Sequence, residues 1–147
     1  KDETRRIRKK LEQAKSSTRK GKEIDIKFGE GGLQDIYFTI RYLQLRDNIP
    51  DDKENRSTLT SLNKLRKNNS LSKENYEHLS NGYSFLSELD HNLRLCVGRS
   101  TRLPFANHKA LTIIAARMKF NSVDMLLETL TFQRLNIHSA FDSILNS

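Results

Sequence analysis

Apolar residues recur three and four positions apart along most of this chain, and only one short stretch alternates with a period of two. That spacing makes helix the default reading. Both prolines of the 147 residues, Pro50 and Pro104, fall between the periodic segments, so neither interrupts one. No strand series able to make a sheet is present. The pattern predicts an all-α fold, an antiparallel bundle of about five to six helices with short connections.

The individual helices follow from their stripes and caps. Ile7, Leu11 and Ala14 form one narrow stripe, which predicts a helix over 2–16 ended by Ser16, Ser17, Thr18 and Gly21. Ile24-Asp25-Ile26-Lys27-Phe28 alternates and reads as a short extended segment, followed by the turn Gly29-Glu30-Gly31-Gly32. Leu33, Ile36, Tyr37, Ile40, Leu43 and Leu45 give the next helix, to Arg46, a wide apolar face. Ser57 caps a helix through about Lys67 on Leu59, Leu62 and Leu65. Ser72 caps a long one from Lys73 to about Val97, with Tyr76, Leu79, Tyr83, Leu86, Leu93 and Val97 in line. Asn81-Gly82 lies inside that stripe; a hairpin turn is one reading, but the continuing periodicity favours a weakened helix. Residues 99–106 read as a loop. Asn107 caps a helix through Met118 on Leu111, Ile114, Ala115 and Met118. Ser122 caps the last, to about Leu145, which buries Val123, Leu126, Leu130, Ile137, Phe141 and Ile144.

Charge divides the chain in two. The total is +8, but residues 1–22 hold ten basic and three acidic residues, and residues 23–147 hold sixteen and fifteen. The predicted organisation is a basic connecting helix and linker over 1–22 and a nearly neutral bundle over 23–147. The connecting helix has two readings, a solvated terminus or a surface for a neighbouring domain or a polyanion such as ATP phosphates. Sparse aromatic residues there argue against stacked bases, so nucleic acid is not the expected partner.

No run approaches the roughly eighteen apolar residues of a membrane span, so no membrane partner is expected. The start at Lys1, inside a charged run without an apolar core, lacks a signal peptide and points to a piece of a longer protein. Cys96 is the single cysteine. It cannot form an internal disulfide, fits a reducing compartment such as the cytoplasm, and reads as a small buried hydrophobe.

Candidate chemistry is thin. His78, His91, His108 and His138 stand singly, and none makes a two-histidine metal spacing. Asp90-His91 resembles part of a metal phosphohydrolase set, but its further ligands are absent, which leaves a residue on the bundle face. Asp51-Asp52 reads as a solvated turn rather than a magnesium pair. Met118 and Met125 read as core filler. Glycines before a helix can turn backbone N–H groups toward an anion. The spacing at Gly29–Gly32, however, is neither a Walker loop nor a dinucleotide fingerprint, which favours a structural strand-to-helix turn.

The stretch from Asp25 to Phe38, Asp-Ile-Lys-Phe-Gly-Glu-Gly-Gly-Leu-Gln-Asp-Ile-Tyr-Phe, resembles a signature of the glutamine-synthetase adenylyltransferases. There, a hydrophobic-Lys strand runs into Gly-Gly, Ile or Leu, a basic residue, an acid, Ile, Glu and Phe. Tyr42-Leu43-Gln44-Leu45-Arg46 is similar to the helix that follows. Leu59-Thr60-Ser61-Leu62 and Ser70-Leu71-Ser72 resemble the second bundle helix and its turn. Tyr83-Ser84-Phe85-Leu86 with Leu89-Asp90-His91-Asn92-Leu93, then Leu103-Pro104, then Ala116-Arg117-Met118-Lys119-Phe120, continue in the same order. The likeness runs over about residues 24–145, and it extends to the helical domain of the P-II uridylyltransferases.

The resemblance implies an all-helical domain that follows a nucleotidyltransferase domain. The latter carries a Gly-Ser motif and an Asp-x-Asp pair for magnesium and ATP. It transfers AMP to a tyrosine of glutamine synthetase, or removes it by phosphorolysis, under a P-II signal protein. Neither motif occurs in these 147 residues. The resemblance therefore implies a non-catalytic regulatory or substrate-orienting module, with no catalytic or metal residue of its own. ATP and magnesium go with the missing domain. Gly31, Gly32 and Asp35 match the family pattern and are expected at a turn and domain junction; Lys27, Arg5 and Arg6 are candidates for phosphate or interdomain contacts. Gln34 and Tyr37 depart from it, standing where the family has Arg and Glu. The rival expectation is a helical interaction or signalling module of a divergent paralogue without transferase activity.

Overall fold

A computed structural model describes residues 23–51, 57–98 and 101–146. Five helices make the bundle among them: α1 (Leu33–Asp47), α2 (Thr58–Lys67), α3 (Lys73–Cys96), α4 (His108–Arg117) and α5 (Val123–Leu145). The basic helix expected over 2–16 lies outside the described residues.

Four helices start where a short polar side chain can take an orphan N–H. The Ser57 hydroxyl accepts from the Thr60 N–H, Ser72 from Asn75, Asn107 from Ala110 and Ser122 from Met125. Each such cap contributes about 1 kcal/mol. α1 differs: its N-cap is Gly32, with no side-chain cap.

The longest helices, α3 and α5, form the most extensive contact; α1 lies against α5, α2 and α3, and α4 against α3 and α5. Leu79, Leu86, Leu89 and Leu93 of α3 and Leu126, Leu130, Ile137 and Ala140 of α5 are fully sealed from solvent. Gly82 sits where the two helices touch. A Cβ there would fall 2.5 Å from Cγ1 and 2.6 Å from Cδ1 of Ile137, well inside contact distance. The glycine that weakens α3 locally is thus the one that lets α5 approach, and α3 runs unbroken through it.

Some expected core positions are exposed. Leu45 (68%), Leu59 and Met125 face solvent, and Val97 and Tyr37 are at the surface. Thr39, Gln44, Ser61, Asn92 and Thr131 are buried instead. Each has a partner: the Thr39 hydroxyl donates to the Asp35 carbonyl, Thr131 to the Leu127 carbonyl, and Asn92 accepts from Arg117 Nε at 2.7 Å. Periodicity marks which face is apolar, but the neighbouring helix decides how far round that face extends. Cys96 is only partly buried at the edge of the core.

A small sheet corrects the expectation of none. Ile24–Asp25 (β1) pairs antiparallel with Arg102–Leu103 (β2), Ile24 opposite Leu103 and Asp25 opposite Arg102. The Ile26 N–H extends the pairing to the Thr101 carbonyl at 3.0 Å. The extended segment is shorter than its alternation predicts, because Ile26 already enters the turn. Two-residue strands carry no periodic signal, so β2 looks like loop in the sequence.

Candidate functional site

The turn between β1 and α1 is built around the Asp25 carboxylate. Its Oδ1 accepts from the N–H groups of Lys27 (3.0 Å) and Phe28 (2.9 Å) and from the Thr101 hydroxyl (3.0 Å). Arg102 Nε lies 3.9 Å from Oδ2. Partial burial opposes ionisation of Asp25, but these donors and the guanidinium outweigh it and hold the carboxyl below its ordinary range. Asp25 therefore orders the local turn and ties it to a segment 76 residues away.

The glycine segment then closes on itself. The Gly29 N–H donates to the Asp25 carbonyl, and Gly32 N–H to the Gly29 carbonyl. Leu33 N–H donates to the Ile26 carbonyl at 3.0 Å and Gln34 N–H to the Lys27 carbonyl at 2.8 Å. The Gly31 N–H donates to Asp35 Oδ2 at 2.7 Å. The N–H groups of Gly29, Gly31, Gly32, Leu33 and Gln34 are thus engaged by the protein's own oxygens. Gly31 has φ +70°, and a Cβ there would overlap the Arg134 carbonyl, with its carbon at 2.9 Å. Only glycine combines this left-handed backbone with so close a neighbour.

α5 grips the turn from the other side. Arg134 Nε donates to the Glu30 carbonyl at 3.1 Å. Desolvation lowers the pKa of Arg134, against the pull of Glu30 and Asp35. One helical turn on, His138 Nε2 lies 2.9 Å from Glu30 Oε1 and 3.2 Å from Asp142 Oδ2. The His138 ring stacks on Phe141, which in turn packs against Phe38 of α1 at 6.0 Å between centroids. The result is a corner where β1, the start of α1 and the second half of α5 meet.

Gly31, Gly32 and Asp35 come together in this corner. Lys27 is half-buried with Nζ 5.4 Å from the Phe28 ring, whereas Phe28 itself is 66% exposed. Arg5 and Arg6 lie outside the described residues, as does Asp52. Asp51 is not merely a solvated turn residue: it accepts from the buried Gln44 side chain and from the Ser61 hydroxyl, joining α1 to α2. Gln34 is exposed, and Tyr37 packs edge-on against Tyr83 at 6.4 Å. His91 and His108 are exposed and His78 is partly buried. Among the described residues no three His, Cys, Asp or Glu side chains are grouped to hold a metal ion.

Arg134, Glu30, His138 and Thr101 join the site without having been singled out for it. Their partners lie far away in sequence. The one local hint is that Arg134, His138 and Asp142 recur at four-residue spacing, a polar stripe beside the apolar stripe of α5.

Comparisons with known proteins match most of the chain. The family model described as GlnD PII-uridylyltransferase matches residues 4–145. A bifunctional glutamine synthetase adenylyltransferase/adenylyl-removing enzyme of Nitrosomonas europaea is 31% identical over 131 residues, 84% of this chain. Proteins of the same description from Corynebacterium diphtheriae and Mycobacterium avium are 31% and 29% identical over 94% and 92% of the chain. In each case the chain spans only 14% of the relative's length. A match running through the basic segment, the glycine turn and all five helices identifies this chain as a member of the GlnD PII-uridylyltransferase family.

Proposed function

We propose that this chain is the non-catalytic helical domain of a glutamine-synthetase adenylyltransferase-like nucleotidyltransferase, and that it positions a protein substrate or regulator for a neighbouring catalytic domain. The observation that carries this reading is the pairing of a family match over 4–145 with the absence of Gly-Ser and Asp-x-Asp motifs from the sequence. Residues 1–22 serve as the connection to the catalytic domain, and residues 23–147 as the bundle. AMP transfer from ATP, with magnesium, belongs to that domain. Glutamine synthetase is the substrate and a P-II-type signal protein the regulator, in the cytoplasm. The glycine corner suits a positioning role better than phosphate binding, because the N–H groups of Gly29, Gly31, Gly32, Leu33 and Gln34 are internally engaged. A rigid corner next to the incoming chain transmits the placement of whatever precedes it to α1 and α5.

The departures at Gln34 and Tyr37 favour one second reading, an interaction module of a paralogue without transferase activity. Tyr37 makes a local ring contact with Tyr83 where the family carries an acid.

The test uses the isolated chain and the full polypeptide. The isolated chain, mixed with glutamine synthetase, ATP and magnesium, is expected to transfer no AMP; robust transfer overturns the non-catalytic assignment. In the full polypeptide, Gly31→Ala is expected to slow transfer to glutamine synthetase while ATP affinity stays the same. Unchanged transfer overturns the positioning role. Capture of a partner outside nitrogen metabolism, by a full polypeptide without the catalytic motifs, favours the second reading.

A further inference from the structure

Gln34, Phe38, Arg41 and Leu45 follow one another at spacings of four, three and four, so they form one ridge along α1. All four are exposed, Phe38 by 57% and Leu45 by 68%. The ridge carries one charge, Arg41. The positions three and four away from it are Tyr37, Phe38, Gln44 and Leu45, so α1 itself gives the guanidinium no counter-charge. Among the described residues, the arginine of α1 that lies over a ring is Arg46, on Tyr42 at 5.9 Å, and not Arg41.

The acids beside this ridge stand next to Phe38. Phe38 abuts Phe141, the Phe141 ring stacks on His138, and Glu30 and Asp142 reach His138 while remaining 71% and 53% exposed. Each chain therefore presents an open aromatic ring bordered by two solvent-facing carboxylates and, one turn further along the same ridge, an uncompensated arginine. A guanidinium is the group such a ring and its carboxylates suit, because it stacks on the one and pairs with the other. The face thus holds both halves of one contact, the requirement for pairing with itself across a two-fold axis.

The register follows from the spacing. With two α1 helices antiparallel and the axis at the level of Thr39 and Ile40, Phe38 falls opposite Arg41 of the other copy, and Gln34 opposite its Leu45. Both pairings occur twice. Each Arg41 then lies over the other copy's Phe38, within the field of its Glu30 and Asp142, and the exposed Leu45 gains a cover. We propose that the Gln34–Leu45 ridge joins this chain to a second copy of itself as an isologous dimer. One helix pair is at the small end of specific interfaces, below about 1,200 Å² in total, so the association is reversible and depends on concentration. This does not rest on the function proposed above.

Sedimentation equilibrium of the full 147-residue chain over a range of concentrations tests it. The weight-average mass is expected to rise with concentration from 17.1 kDa toward twice that value. Arg41→Glu, which sets a third carboxylate against Glu30 and Asp142, is expected to weaken association at least tenfold. Asp142→Lys, which sets a cation against Arg41, is expected to do the same, with far-UV circular dichroism confirming a folded bundle in both. An equimolar mixture of the two variants is expected to associate nearly as well as the parent, because in the mixed dimer both contacts pair opposite charges. A loss caused by misfolding would not be repaired by mixing. A parent that keeps the monomer mass up to about 1 mM overturns the proposal. So does association that neither variant weakens, which places the contact on another face. Variants that stay monomeric when mixed overturn it as well.

Discussion

Gly82→Ala is the most informative single change, because two physical effects oppose each other there. Replacing a helix-interior glycine by alanine should stabilise α3 by about 1 kcal/mol. Here the new methyl would lie 2.5–2.6 Å from two carbons of Ile137, whose side chain is fully buried in the α3–α5 contact. Carbon atoms pack best at about 3.5–4.0 Å, so the overlap is roughly 1 Å. Forcing a methyl into such a site typically costs about 1–3 kcal/mol, and here the helix gain offsets part of it. The expected net result is a loss of about 1 kcal/mol. Ile137→Ala alone should cost about 2–5 kcal/mol through its cavity. In that background the obstructing carbons are gone, and Gly82→Ala should become stabilising by about the helix-propensity difference of 1 kcal/mol. The sign of the Gly82→Ala effect should therefore reverse between the two backgrounds. Urea unfolding followed by far-UV circular dichroism measures all four proteins, and the double-mutant cycle isolates the coupling. If Gly82→Ala stabilises the parent as much as it does the Ile137→Ala variant, the close approach does not limit the packing and this reasoning is wrong.

Two further outcomes follow from the glycine corner. Gly31→Ala should cost more than Gly98→Ala in urea unfolding: both glycines have positive φ, but a Cβ meets the Arg134 backbone at the first and nothing within 4 Å at the second. Similar losses would mean that backbone conformation alone matters at Gly31. Because the Asp25 pKa is lower in the folded protein, its contribution is present above the unfolded carboxylate value of about 3.9 and is lost as pH falls through the folded value. Asp25→Asn should flatten the acid side of the stability–pH curve, and an unaltered acid limb would refute that linkage.

Helix existence was legible because each helix carries its own signal. Stripes at three and four positions and the caps Ser57, Ser72, Asn107 and Ser122 are local features. What was hidden depends on the partner element. Leu45 and Leu59 are apolar in type, but no neighbour covers them enough, and both remain exposed. Gln44 and Ser61 look like surface residues, yet Asp51 gives both a partner and makes their burial tolerable. Within the corner, Gly31, Gly32 and Asp35 are local to one turn and visible as a motif. Thr101, Arg134 and His138 reach it from 76 to more than 100 residues away, through side chains with many other plausible uses.

The β1–β2 pairing also links assembly of the two ends of a long chain segment. Its two strands bracket α1, α2 and α3 in sequence, so joining Ile24 to Leu103 closes a ring around more than half of the described chain. Neighbouring helices can meet after short searches, whereas this closure needs chain segments that start far apart. Leu103 and Ile26 are both fully sealed, so the ring is closed by side chains that are themselves part of the core. The glycine corner therefore depends on the bundle: a chain that ends with α3 lacks Thr101, and with it the tie to Asp25, and lacks Arg134 and His138 as well.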